Sequence, residues 1–453
     1  MAATLGFYGG VGSVTGANFL LDTGAVAILI DCGLEQGSDD AQEKNEAPFP
    51  YRPKDIDVLI VTHAHTDHIG RIPKLVRDGF DGVIYSTPPT KALAAVMLED
   101  ALHIMQYEHE AFGRTIIFDE SDIDAMLQMW HTCGYEEDTV LPDGVQMRLT
   151  NAGHILGSAM VHLTKNGRTL VCTGDVGNVP QPLMAPPVIP TNYQYLITES
   201  VYGDRLHEHV EERSALLLHH IEATRAQNGT LIIPAFSLER TQSVLYEINN
   251  FVELGHMEPM PVFLDSPLAI KVTDIYKRYT PYMNDSVQQR LASDPDIFKF
   301  PGFRATVSAS ASAEIAAVQG PKIIIAGSGM SHGGRIRRHE QTYLADPTTT
   351  LLLVGHQVVG SLGRRLQDGA RSVTIDGMPV SVKAKIAVIQ GYSGHADRDQ
   401  LLELIAQGGD AVEKVFVTMG EERASLFLTQ RIHDYLGINA CVPQVGEEIA
   451  IDF

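Results

Sequence analysis

The sequence predicts an α/β protein with more than one domain. Three observations carry that expectation. Short apolar runs of strand length alternate with amphipathic stretches of helical period, the pattern of strand–helix units. The 453 residues are 44% hydrophobic and 20% charged, an ordinary globular balance, and that length supports about two or three domains with sizeable cores. No internal repeat or low-complexity tract interrupts the alternation.

In chain order, the strand-like runs are 25–30, 57–61, 169–172, 195–198, 231–233, 322–326, 350–354, 386–389 and 415–417. Each is a short cluster of Val, Ile, Leu or Ala bounded by polar or turn residues. Amphipathic stretches at 69–77, 91–106, 214–227, 241–253 and 399–406 read as helices. The Ser/Ala alternation at 308–313 is too short for a linker.

The polar residues that close these strands stand out. Asp31 follows Ala27-Ile28-Leu29-Ile30, and His63, His65, Asp67 and His68 follow Val58-Leu59-Ile60-Val61-Thr62. Asp175, Glu199 and His395 close three later runs. Open α/β sheets bind ligands beyond the carboxyl ends of their strands, so these groups are candidates for one shared site.

No stretch reaches 18 uninterrupted apolar residues, so no membrane span is expected. The start, Met1-Ala2-Ala3-Thr4-Leu5, lacks a basic leader segment, and a secretory signal is not expected. Cys32, Cys133, Cys172 and Cys441 form no C-x-x-C pair and read as reduced thiols of a cytoplasmic protein. The net charge is −22, unevenly spread. Residues 271–385 carry 15 Lys/Arg against 9 Asp/Glu, whereas the remaining 338 residues carry 19 against 47. One face suited to a polyanion on an acidic body is the expectation.

The strongest motif is His63-Ala64-His65-Thr66-Asp67-His68, with three imidazoles and a carboxylate in six residues. Zinc takes tetrahedral N/O/S coordination and keeps an open position in catalytic sites. Four such side chains so close together cannot all reach one ion, so the spacing suggests two. His63 and His65, two apart on an extended segment, point the same way. Asp67 and His68, beyond the turn, suit a second ion. His154 sits between Gly153 and Gly157 in a loop free to turn tightly. Asp175, flanked by Gly174 and Gly177, has two oxygens and can bridge two ions. Asp31 could orient a ligand imidazole through its other ring nitrogen.

Asp31, the H-x-H-x-D-H run, His154 and Asp175 together resemble the metallo-β-lactamase fold. Further motifs are similar to its β-CASP branch: Thr198-Glu199-Ser200-Val201-Tyr202-Gly203-Asp204, Pro234-Ala235-Phe236-Ser237, Leu264-Asp265-Ser266-Pro267, Gly327-Ser328-Gly329-Met330, Gly360-Ser361-Leu362-Gly363-Arg364-Arg365 and Tyr392-Ser393-Gly394-His395-Ala396-Asp397. The branch includes bacterial and archaeal RNases and the nuclease subunit of the cleavage and polyadenylation specificity factor. The resemblance spans nearly the whole chain. It implies an αββα sandwich built from residues 1–200 and 375–453, with a β-CASP domain inserted at 201–374. It also implies nucleic acid bound between the two domains, in agreement with the basic window.

By the same resemblance, Glu199 and His395 complete the active site, His395 as general acid. The family pattern Val-His-Gly-Glu carries a further ligand histidine, and here that stretch reads Val417-Thr418-Met419-Gly420-Glu421. Met419 therefore marks a degenerate ligand position, because a thioether is a poor substitute for imidazole on Zn²⁺. One Zn²⁺ held tightly by His63, His65, His154 and Asp175 is expected. A second, weaker one at Asp67, His68 and Asp175 accompanies it.

The implied reaction is hydrolysis of RNA, preferably single-stranded, by metal-activated water. Asp67 orients the nucleophile. Ser328, Gly329, Arg364 and Arg365 are the candidate phosphate anchors, with Arg335, Arg337 and Arg338 available for more distant phosphates. A homodimer is compatible with the sequence, and no membrane partner is expected. Two other readings share these residues: a metallohydrolase of small esters or thioesters, and a non-catalytic RNA-binding relative.

Overall fold

The computed structural model describes residues 2–38, 40–207, 211–355, 357–358 and 360–453. The chain divides into two compact units: Met1–Val179, Ala185–Leu206 and His395–Phe453 form one, and Pro180–Met184 with His207–Gly394 the other.

The first unit is an αββα sandwich of two seven-stranded sheets. One sheet runs in the order Glu447–Asp452, Ala2–Gly9, Asn18–Asp22, Ala27–Ile30, Val58–Ile60, Val83–Ser86, Trp130–Thr132. The other runs Ala440–Cys441, Lys414–Val417, Tyr195–Thr198, Arg168–Cys172, Ala159–Lys165, Gln146–Asn151, Asp138–Val140. Strand alternation builds the layers. Leu170, Cys172, Ile197 and Phe416 face the inter-sheet core with Phe7, Phe19, Ile28, Ile30 and Ile60. Val171, Leu196, Val415 and Val417 face the opposite way, against Leu401, Leu404 and Ile405 of helix Arg398–Ala406 and Leu428 of helix Glu422–Arg431. Period-two side-chain alternation with both faces covered explains why these strands read as continuous apolar runs.

The long helix Pro88–Phe112 starts where Thr87 caps the Thr90 N–H and ends at Gly113, whose φ of 70° stops it. The helix expected at 69–77 is two helices, Thr66–Ile69 and Ile72–Arg77. Gly70 closes the first and Pro73 lies in the opening turn of the second, a position that suits its missing N–H. The break leaves Asp67 and His68 on a short turn of their own.

The second unit holds a six-stranded, all-parallel sheet in the order Phe303–Ala305, Val262–Leu264, Lys322–Ala326, Thr230–Pro234, Thr350–Leu353, Lys385–Val388. Lys385–Val388 pairs with Thr350–Leu353, and the compact unit that holds both strands runs to Gly394. A two-stranded ribbon, Ser372–Ile375 with Met378–Ser381, belongs to it as well. All four cysteines are free thiols. No helix among the described residues is long and apolar enough to cross a membrane.

Candidate metal centre

Asp31, Thr62 and the histidine run lie just past the ends of neighbouring parallel strands of the first sheet. Asp31 adopts φ 60°, a strained backbone for a non-glycine residue. The strain comes with a dense set of bonds. Asp31 Oδ1 accepts the Thr62 N–H at 2.8 Å, and Oδ2 accepts the Thr62 hydroxyl at 2.7 Å and the His68 Nδ1–H at 2.7 Å. With its proton given to Asp31, Thr62 Oγ1 can accept from His63 Nδ1 at 3.0 Å. Asp31 and Thr62 thus set two imidazoles with their Nε2 atoms bare and pointing inward. Gly33 makes room for this turn, since a Cβ there would stand 1.5 Å from the Asp67 carbonyl oxygen.

The second sheet supplies the other side. Ser158 Oγ accepts the backbone N–H groups of His154 and Ile155 at 3.0 and 3.2 Å, holding the His154 loop. Gly177 lets the Asp175 loop cross it, because a Cβ at 177 would meet the Gly153 carbonyl at 2.0 Å.

The result is a convergence. His63 Nε2 and His154 Nε2 stand 3.1 and 3.2 Å from His65 Nδ1. Asp175 Oδ2 lies 3.4 Å from His63 Nε2 and 3.5 Å from His154 Nε2. The ligand atoms of these four residues all lie within 4.8 Å of one another. The other oxygen, Asp175 Oδ1, lies 3.3 Å from His68 Nε2, which is 3.8 Å from Asp67 Oδ2. His68 Nε2 and Asp175 Oδ1 are buried without a hydrogen-bond partner. Buried polar atoms are rarely left so, and a metal cation answers the deficit. The residues present therefore fit zinc: three imidazole nitrogens and a carboxylate at one position, with a carboxylate–imidazole–carboxylate set beside it.

The electrostatics agree. Burial holds His65 and His154 well below the usual imidazole range and His63 below it, which keeps them in the neutral form a metal requires. Burial also pulls His68 down, but the carboxylates of Asp175, Asp31 and Asp67 outweigh it and hold His68 well above that range. The field that favours a proton there also favours a metal cation.

His395 lies at the rim, its side chain 25% exposed, with Nδ1 3.2 Å from Glu199 Oε1 and 3.9 Å from Asp175 Oδ2. Glu199 Oε1 also accepts the Val176 N–H at 2.6 Å. Burial lowers the His395 pKa, but Glu199, then Asp175 and Asp67, raise it to about 9. This carboxylate surround favours the charged form of the His395 ring, whose other nitrogen then carries a proton. Asp175, Glu199 and His395 form a second tight donor group.

Met419, with φ 44°, belongs to the inter-sheet apolar core and is 2% exposed. Its sulfur packs so closely over Gly10 that a Cβ there would meet it at 2.4 Å. His433, in sequence reach of the same segment, bonds the Ala440 carbonyl through Nε2 at 2.9 Å.

The candidate phosphate anchors lie in the other unit. Ser328 Oγ accepts the N–H groups of His332 and Gly333, and the Gly329 carbonyl accepts from Gln357 Nε2 at 3.0 Å. Arg364 Nε is engaged by both Asp368 oxygens, whereas Arg365 is exposed. The expectation that Arg335 reaches a distant phosphate is corrected. It donates to Asp265 Oδ1 at 2.7 Å and to the Thr306 and Val307 carbonyls, because the fully buried Asp265 needs a cationic partner. Arg337 pairs with Asp376 at 2.8 Å, and Arg338 is exposed. Thr62 and Ser158 carried no functional assignment in the sequence, and only the position of Thr62 directly before the histidine run hinted at its part.

Comparison with known proteins adds the following. Family models match for a metallo-beta-lactamase superfamily domain at residues 20–178, a Beta-Casp domain at 241–366 and a Zn-dependent metallo-hydrolase RNA specificity domain at 379–443. The chain is 36% identical over 422 residues to Ribonuclease TTHA0252 of Thermus thermophilus, covering 93% of this chain and 94% of that protein. It is 31% identical to Transcription termination factor FttA of Methanosarcina mazei, covering 95% of this chain and 69% of that protein. The FttA of Pyrococcus abyssi is 30% identical, with 96% and 69% covered. A crystal structure of a protein of unknown function from Enterococcus faecalis shares the fold at a TM-score of 0.56 and 10% identity, with all of both chains covered.

Proposed function

This chain belongs to the β-CASP family of metallo-β-lactamase-fold hydrolases, and on that premise we propose that it is a zinc-dependent ribonuclease cutting single-stranded RNA. The observation that carries the reading is the convergence of His63, His65, His154 and Asp175 beside the unpartnered His68–Asp175 pair.

His63, His65, His154 and Asp175 would hold one zinc ion, and Asp67, His68 and the second Asp175 oxygen another. Bound there, zinc supplies Lewis acidity that makes water nucleophilic at neutral pH and offsets phosphate charge. The protein's own groups do the rest. Asp67, its side chain 19% exposed beside His68, would orient the attacking water and accept its proton. As the new P–O bond forms and the old one breaks, His395 gives its ring proton to the leaving oxygen, and Glu199 supports the cationic ring. Ser328, Gly329, Arg364 and Arg365 are the proposed phosphate contacts. Arg364 must exchange Asp368 for phosphate to serve there.

The second ion is the weaker of the two, because Met419 offers no imidazole. Four free thiols are in keeping with a cytoplasmic setting.

End-labelled single-stranded RNA tests the function directly. Cleavage that is lost on chelation, restored by zinc and absent in His65→Ala supports it. Ester turnover without RNA cleavage, or RNA binding without cleavage by the zinc-loaded protein, overturns it.

A further inference from the structure

His395 follows a four-residue peptide, Gly391-Tyr392-Ser393-Gly394, that packs with the inserted unit. Two of the four are glycines, so the segment has little intrinsic stiffness. Its order must come from outside contacts, and those contacts are polar and buried. Tyr392, 3% exposed, donates its hydroxyl to Glu247 Oε2. Glu247, on helix Arg240–Glu253 and 6% exposed, receives Arg213 Nε on its other oxygen at 3.3 Å. Arg213, on helix Arg213–Ala226, donates from one terminal nitrogen to the Pro180 carbonyl at 2.6 Å and reaches the Gly391 carbonyl at 3.5 Å. Its guanidinium also lies 5.9 Å from the Tyr392 ring centroid. At the far end of the peptide, Gln181 Nε2 donates to the Gly394 carbonyl at 3.2 Å.

A buried ion pair is a poor way to gain stability, since apolar residues of similar volume serve as well or better. What it does provide is direction. Here every bond of the pair ends on the peptide leading into His395 or on Pro180, which follows the Asp175 loop. On the far side of that peptide, His395 and Ala396 are tied to the same loop: Gly177 bridges to His395, and the Ala396 N–H bonds the Val176 carbonyl at 2.7 Å.

We propose that Glu247, Tyr392 and Arg213 are positioning residues for His395. They fix the preceding peptide so that the imidazole keeps Nδ1 on Glu199 and presents its other nitrogen to the leaving oxygen. This rests on the reading of His395 as proton donor. None of the three need touch RNA or metal.

The test is a double-mutant cycle on zinc-loaded protein, with single-turnover cleavage of labelled RNA. Tyr392→Phe, which removes one oxygen, and Glu247→Gln are each made with His395 intact and with His395→Ala. Displacing a catalytic group by a fraction of an ångström to one ångström costs about 10- to 100-fold in rate. The expected result is a fall of that size in kcat, with KM and zinc content unchanged, and no further fall when His395 is already alanine. Glu247→Gln can lose stability, but Tyr392→Phe is mild enough to carry the cycle alone. The proposal is overturned if Tyr392→Phe leaves kcat unchanged, if KM or zinc content moves instead, or if its effect multiplies with that of His395→Ala. Full activity of His395→Ala itself brings down the proton-donor reading, and the positioning role with it.

Discussion

His68 Nε2 and Asp175 Oδ1 face each other across 3.3 Å, and neither has a hydrogen-bond partner. On its other side, His68 is tied to Asp31 at 2.7 Å, so its ring cannot turn away to find one. Asp175 is shared between this pair and the three converging imidazoles, which makes its carboxylate the joint of both proposed cation positions.

If the second proposed position is the weaker, dialysed protein should show it. One zinc per chain is expected after dialysis against metal-free buffer. Met419→His should raise the count towards two, because histidine tolerates the left-handed backbone at 419 better than most residues. Metal analysis by mass spectrometry reads both values.

Thr62 is expected to govern zinc affinity without being a ligand. Thr62→Val keeps the shape but removes the hydroxyl that links Asp31 to His63. Losing such a supporting bond weakens metal binding by about 10- to 100-fold. A competition titration with a zinc chelator checks this, and folding reported by circular dichroism should stay intact.

RNA affinity should fall with salt in proportion to the number of phosphates held. Arg365 is exposed. Arg365→Ala is expected to reduce the slope of log Kd against log salt by about one and to weaken all RNA sequences alike. Filter binding over a salt series, with chelated protein to prevent cleavage, measures the slope.

Stability should depend on pH through Glu340. This carboxyl is fully buried, and burial pushes it up to about 7, with the Ser331 hydroxyl and Arg337 offsetting only part of the shift. Below about 4.5, folded and unfolded chains both hold the proton. Between there and about 7 the folded chain alone holds it, so stability falls as pH rises through that window and levels off above. The loss is on the order of 3 kcal/mol. Urea unfolding at pH 5 and pH 8.5 should show it in the natural protein and not in Glu340→Gln.

The sequence by itself determined the α/β class, the positions of nine of the strands and the metal-ligand type of the side chains that close several of them. Strand and helix periods are local, so runs such as 195–198 and 322–326 coincide with observed strands. The dense H-x-H-x-D-H run likewise announces its chemistry within six residues. Tertiary structure alone decided what depends on partners far along the chain. It showed which Asp175 oxygen meets which histidine, that Thr62 bridges Asp31 and His63, and that Arg335 turns inward to Asp265. It also showed that Lys385–Val388 joins the parallel sheet of the inserted unit. A side chain's period says which face it occupies. Only the closed fold says what waits there, because burial leaves each polar group to find a partner at a distance in sequence that no local pattern records.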